Sequence, residues 1–271
     1  MVSNGFSDKS NEFSSALWTD LDTAIASAIQ RSSSNNSPPV AAFDADGTLW
    51  DRDAGEAFFQ WQLDNCGFQG LPEDPWAHYR NWKKRDPHGA YGWLAQISAG
   101  ASLETVRAWA QACYQSHQPW PVFRSIQTLF EKLQTAGFEI FVVTASVKWA
   151  VEPGALHLLG IPHDHVLGIE TEAAVAVPGG PAIITDRVKT PVTYRQGKAD
   201  ALLRATAGRK PAIAAGNTIG DIALLESATD LKLMIQSQSP LVSEDAELAL
   251  SEKKLRDHGR PLGWRLHAFR S

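Results

Sequence analysis

The sequence is short of cysteine. Two in 271 residues, Cys66 and Cys113, exclude a disulfide framework and suit a reducing cytoplasm, with both thiols packed and unreactive. It lacks any apolar run long enough to cross a membrane. It lacks the apolar stretch of a signal peptide, since Met1 to Ser15 is polar. It lacks positive charge in excess. The formal net charge is -5, so no nucleic acid and no membrane partner is expected, and an anionic substrate must be held by a local site. No internal repeat is visible. The spacing Gly216 to Gly220 lacks the third glycine of a dinucleotide fingerprint.

What is present is an ordinary globular composition, 44% hydrophobic and 20% charged, enough for one large domain or two smaller ones. Its organising stretch is Val40 to Trp50. Val40 to Phe43 reads as a buried strand, entered through the extended Pro38-Pro39. It stops at Asp44 and Asp46. Residues two apart on an extended chain point the same way, so both carboxylates can face one pocket, and Gly47 permits the turn that follows. Two close carboxylates repel unless a cation neutralises them or one keeps its proton. A divalent cation answers that and can hold a phosphate. One carboxylate can then attack phosphorus while the other moves a proton. The bland alternative is a turn with solvated acids.

Residues 1–13 are expected to be disordered. A helix follows Ser14 or Ser15, with Leu17, Leu21, Ile25 and Ile29 on one face, and 31–39 acts as a linker. Residues 53–121 contain no β run and read as helices over about 53–66, 75–85, 87–99 and 102–118. This stretch holds six of the ten tryptophans and three of the four tyrosines, expected to form the core of a small bundle. Lys83-Lys84-Arg85 reads as a solvated helix face. So long an insert is expected to be a second domain, placed as a lid after the first strand.

From Val122 the alternation returns: helix 123–136, strand 138–143 ending in Thr144-Ala145-Ser146, and a helix kinked near Pro153. Then come strand 165–169, a hairpin within 170–195, helix 197–207 with Lys198, strand 211–215, helix 219–227 and strand 231–235. The fold class is α/β, a Rossmann-like parallel sheet with helices on both faces and an inserted helical domain. The expected core is 14–52 with 122–271. The expected helical insert is 53–121.

Each strand ends in a different polar kit: Asp44 and Asp46, then Thr144 and Ser146, then Asn217, Thr218 and Asp221, with Lys198 ahead of the last. This order resembles the haloacid dehalogenase superfamily, most of whose members are phosphatases. The resemblance spans roughly residues 40–236. The insert and the run Val192 to Lys198 look like the branch that includes phosphoserine phosphatase and phosphorylcholine phosphatase. The resemblance implies a cap over 53–121, a Mg²⁺ cofactor and an aspartyl-phosphate. It implies Asp44 as nucleophile, Asp46 as acid then base, and Thr144 and Lys198 on the phosphate beside Gly47 and Ala145. The metal would be held by Asp44, the Asp46 carbonyl and the motif with Asn217 and Asp221. Asn217 departs from the commoner acid and supplies no charge.

The implied substrate is a small-molecule phosphomonoester. Asp53 and Glu56, at the start of the insert, favour an amino- or ammonium-bearing ester if one faces the pocket, as do the aromatic residues. Otherwise both acids simply suit a helix N-terminus. The alternatives are a phosphotransferase or mutase with the same intermediate, and a binding protein on the same fold. A zinc site at His157, His163, Asp164 and His165 is a weaker reading.

Overall fold

The structure is a computed structural model and describes residues 12–175, 177–236 and 245–269. Eleven of the thirteen residues expected to be disordered lie outside that range. Phe13 is buried, its N–H donating to Ser125 Oγ at 2.9 Å.

Helix α1 (Ser15–Asn35) starts where Ser14 accepts the Leu17 N–H, and it runs five residues into the expected linker before Asn36 closes it at φ 49°. Strand β1 (Val40–Phe43) is buried at all four positions, the pattern of a strand covered on both faces. Four helices follow: α2 (Ala54–Asn65), α3 (Pro75–Arg85), α4 (Pro87–Gln96) and α5 (Leu103–Ser116). Asp53, Asp74, Asp86 and Ser102 cap them in turn, and Pro75 and Pro87 open α3 and α4.

After α6 (Arg124–Thr135) comes β2 (Glu139–Val147), longer than expected because the chain continues as strand through Thr144 to Ser146. Helix α7 (Lys148–Leu159) is one span with Pro153 inside it, where a kink or a restart was expected. Strand β3 (Val166–Ile169) precedes the hairpin of β4 (Thr171–Val175) and β5 (Ala182–Val188). The chain continues through α8 (Gln196–Ala205), β6 (Ile213–Gly216), α9 (Ile222–Ser227) and β7 (Leu231–Gln236). It ends with α10 (Asp245–Gly259) and β8 (Arg265–Ala268).

The main sheet has the order β3-β2-β1-β6-β7-β8, all parallel, and β4-β5 is a separate antiparallel pair. The α/β class and the parallel sheet are as the alternation predicts. The sixth strand, β8, is not legible in the sequence.

Contacts divide the chain into two compact units. The first comprises Met1–Asp51, Pro121–Ile140 and Arg209–Ser271. Its core includes Leu21, Phe43, Ile126, Leu129 and Phe130, with the Phe43 and Phe130 rings 4.6 Å apart. The second comprises Arg52–Trp120 and Phe141–Gly208. Its aromatic residues pack as a bundle core should: Phe59 lies 4.8 Å from Trp76, 5.9 Å from Tyr79 and 5.7 Å from Trp93. That core continues into Val147, Trp149, Ile169 and Ile184. The four insert helices therefore share one hydrophobic cluster with α7, β3 and the hairpin. Cys113 belongs to it, and burial pushes its thiol up to about 12.

Candidate active site

The sheet order places a topological switch between β1 and β6. From β1 the chain goes on to β2 and β3 on one side, and from β6 to β7 and β8 on the other. In open α/β sheets ligands bind beyond the carboxyl ends of the strands at such a point. The two neighbours pair in register, Phe43 opposite Ala215, and the Asp44 N–H donates to the Ala215 carbonyl at 2.9 Å. Asp44 and Asn217 thus leave adjacent strands at the same edge.

In the first unit, Asp44 is buried and its Oδ2 accepts the Thr48 hydroxyl at 3.1 Å. Asp46 is half-buried and its Oδ1 accepts the Trp50 indole N–H at 2.8 Å. The turn between them closes when the Gly47 N–H meets the Trp50 carbonyl at 2.9 Å. Gly47 sits at φ 74°, and a Cβ there would lie 2.1 Å from Asn217 Nδ2. Glycine is required twice over, by the backbone and by the amide packed against it. Two carboxylates two residues apart thus have different orienting partners.

The loop after β6 is built around Asp221, fully buried. Its Oδ2 accepts the Asn217 N–H at 3.1 Å, the Thr218 N–H at 2.9 Å and the Thr218 hydroxyl at 3.1 Å. Gly216 leaves the space for it, since a Cβ there would lie 2.5 Å from Asp221 Cβ. One carboxylate oxygen is therefore engaged in shaping the loop that presents Asn217.

In the second unit, β2 and β3 lose register between Val143 and Val147, which puts Thr144, Ala145 and Ser146 on an irregular stretch. The Ser146 N–H donates to the buried Thr144 hydroxyl at 3.0 Å. Lys198 lies in the first turn of α8 and is 3% exposed. Asp53 is exposed and caps α2, its Oδ1 accepting the Glu56 N–H at 2.7 Å. Glu56 faces Lys83, with Oε1 3.6 Å from Nζ. Lys83 was expected on a solvated face with Lys84 and Arg85; it is turned inward, while those two are exposed.

A family model described as haloacid dehalogenase-like hydrolase matches residues 41–226. The chain belongs to that family. Among solved structures, a protein of unknown function from Bordetella pertussis Tohama I is 20% identical, with TM-score 0.61, over 84% of this chain and 97% of its own. A functionally unknown protein from Anaerococcus prevotii DSM 20548 is 15% identical, with TM-score 0.66, over 94% and 92%. A HAD family hydrolase from Salmonella enterica subsp. enterica serovar Typhi is 15% identical, with TM-score 0.51, over 77% and 66%. At these identities the likeness is one of fold. No curated protein matches the sequence.

Haloacid dehalogenase-like hydrolases generally use Mg²⁺. The first unit offers oxygen donors of the right kind: the Asp44 carboxylate, the Asp46 carbonyl, the Asn217 amide oxygen and Asp221. Among the described residues no three His, Cys, Asp or Glu side chains converge as a metal-holding group. A hard cation that takes one or two carboxylates with carbonyls and waters suits this donor set.

The histidines considered for zinc go to separate partners. His157 Nε2 lies 3.0 Å from Gln111 Oε1, His163 Nδ1 lies 2.9 Å from Glu152 Oε2, and His165 stacks on Phe141 at 4.5 Å. Sequence reasoning gave no role to Thr48 or Trp50 and placed Lys83 on the solvated face. Thr48 and Trp50 stand four residues after the two acids they hold, a spacing visible in the sequence. Lys83 gave no signal, because inward rotation of one lysine in a basic run has no sequence mark.

Proposed function

We propose that the protein is a Mg²⁺-dependent phosphomonoesterase acting on a small phosphorylated metabolite through an aspartyl-phosphate. The observation that carries this is the pair Asp44 and Asp46 at the carboxyl end of β1, at the switch point, each with its own orienting donor. Thr48 fixes the rotamer of the Asp44 carboxylate that attacks phosphorus. The P–O bond to the alcohol breaks, and the leaving oxygen takes a proton from Asp46. Asp46 then takes a proton from water, the water oxygen attacks phosphorus, and the Asp44–phosphoryl bond breaks to release phosphate. Thr144 and Lys198 are assigned to the phosphate, with the ammonium of Lys198 offsetting charge on its oxygens. Gly47 and Ala145 are assigned to backbone contact with it. Mg²⁺, when bound by Asp44, the Asp46 carbonyl and the Asn217–Asp221 loop, neutralises part of the charge of the phosphoryl group. The helical insert 53–121 is assigned as the cap that carries specificity.

The expectation of an ammonium-bearing ester rested on Asp53 or Glu56 facing the pocket and on the aromatic residues of the insert. Lys83 beside Glu56 takes that acid out of the basis. The test is phosphate release from a panel of phosphomonoesters with Mg²⁺ and with chelator, repeated with acceptor alcohols to expose transfer instead of hydrolysis. Mg²⁺-dependent release supports the reading. A folded, metal-replete protein that releases phosphate from none of them contradicts it.

A further inference from the structure

The second unit contains a cluster that the proposed reaction does not use. Lys83 Nζ lies 5.4 Å from the ring centroid of Tyr79 and 5.5 Å from that of Tyr91, and 3.6 Å from Glu56 Oε1. Two aromatic faces and a carboxylate around one ammonium make a cation cage. Burial works against the Lys83 charge, but Tyr91, Tyr79, Asp53 and Glu56 together hold its pKa above the usual lysine value. The cage is therefore filled, by the chain's own side chain.

Its surroundings tie it to the residues assigned to the phosphate, all within this unit. A Cβ on Gly55 would meet Ser146 Oγ at 2.6 Å and Asp53 Oδ1 at 3.4 Å, so the start of α2 lies against the Thr144–Ser146 stretch. Tyr91 meets Tyr194 at 5.3 Å, four residues before Lys198. Burial raises the Tyr91 hydroxyl first, and the charges of Lys83 and Lys198 both act on it in the opposite sense.

We propose that Lys83 is the resident occupant of an ammonium site, and that it makes the leaving-group side select against phosphomonoesters carrying an ammonium group. This rests on the phosphomonoesterase reading above. A substrate ammonium entering here must displace Lys83 from Glu56 and leave two cations to share one cage. The Lys83 side chain is one-third exposed, and its N–H groups only donate. They suit an alcohol that bears hydroxyl or carboxylate oxygens.

The experiment compares glycerol phosphate with phosphocholine in two ways. Catalytic efficiency is read on the wild-type chain, and binding is read by calorimetry on full-length Asp44→Asn with Mg²⁺. The wild type is expected to favour glycerol phosphate by about tenfold, and Lys83→Met to move the ratio toward phosphocholine by about the same factor, the weight of a desolvated cation–π contact. Lys83→Arg, which keeps a charged occupant, should retain the wild-type order, and the wild-type ratio decides alone if Lys83→Met does not fold. Equal treatment of the two esters, a wild-type preference for phosphocholine, binding of neither, or no shift in a folded Lys83→Met each overturns the proposal. If no ester is hydrolysed, p-nitrophenyl phosphate included, the phosphomonoesterase reading fails and the binding ratio still judges the cage.

Discussion

Gly47 carries two constraints in one residue, a positive φ and an amide packed where its Cβ would be. The left-handed backbone alone costs an ordinary residue about 1–2 kcal/mol. Gly47→Ala should lose at least that much by urea denaturation, and it should lower activity further because Asn217 is displaced. A Gly47→Ala protein with wild-type stability would contradict the geometry. On the proposed mechanism the carboxylates have separate tasks. Asp46→Asn should slow turnover by about 10²–10⁴-fold, the usual weight of a general acid–base group. It should slow both leaving-group departure and hydrolysis of the intermediate, as single-turnover kinetics would resolve. Slowing of hydrolysis alone would remove Asp46 from the first step. These acids were legible in the sequence because a short apolar run stops on them. Their donors were not singled out, since Thr48 and Trp50 are ordinary residues until the turn brings them round.

Among the elements, helix starts were the most legible, because capping chemistry is local. Asp53 shows the limit of that reading. Its oxygen caps α2, which a helix N-terminus explains without any ligand. Asp53→Ala should cost about 1 kcal/mol of stability and Asp53→Ser should recover most of it. If both lose activity equally while Ser restores stability, the carboxylate has a role beyond the cap. Strand β8 was illegible for the opposite reason. It is four residues long and only half-buried, so no period marks it, and its place is set by pairing with β7. That strand carries His267, ringed by Phe13 at 4.7 Å and Phe269 at 4.5 Å, and burial lowers its pKa to about 4. The unfolded chain protonates this group below about pH 6.5, while the folded chain stays neutral until about 4. Its contribution is complete above the first value and is lost as pH falls toward the second. The melting temperature should fall across that window, and less steeply in His267→Phe, by scanning calorimetry. Identical slopes would show that His267 is not the group responsible.

For the whole molecule, the alternation of strands and helices was enough to give a parallel sheet, and the strand order then locates a switch point between β1 and β6. The division into units was less legible. Sequence marks 53–121 as helical, but it does not show that Trp149, Ile169 and Ile184 complete the same core. Packing between segments far apart in sequence decides that. The inward turn of Lys83 has the same origin, and it changes what charge the insert presents. The central claim is covalent: the phosphoryl group passes through Asp44. The most direct measurement is acid-quenched turnover with labelled phosphomonoester and Mg²⁺, followed by peptide mapping. The account predicts label on the peptide that contains Asp44 and none in Asp44→Asn, which should also release no phosphate. Phosphate release at the wild-type rate by a folded Asp44→Asn protein, or label on another residue, would contradict it.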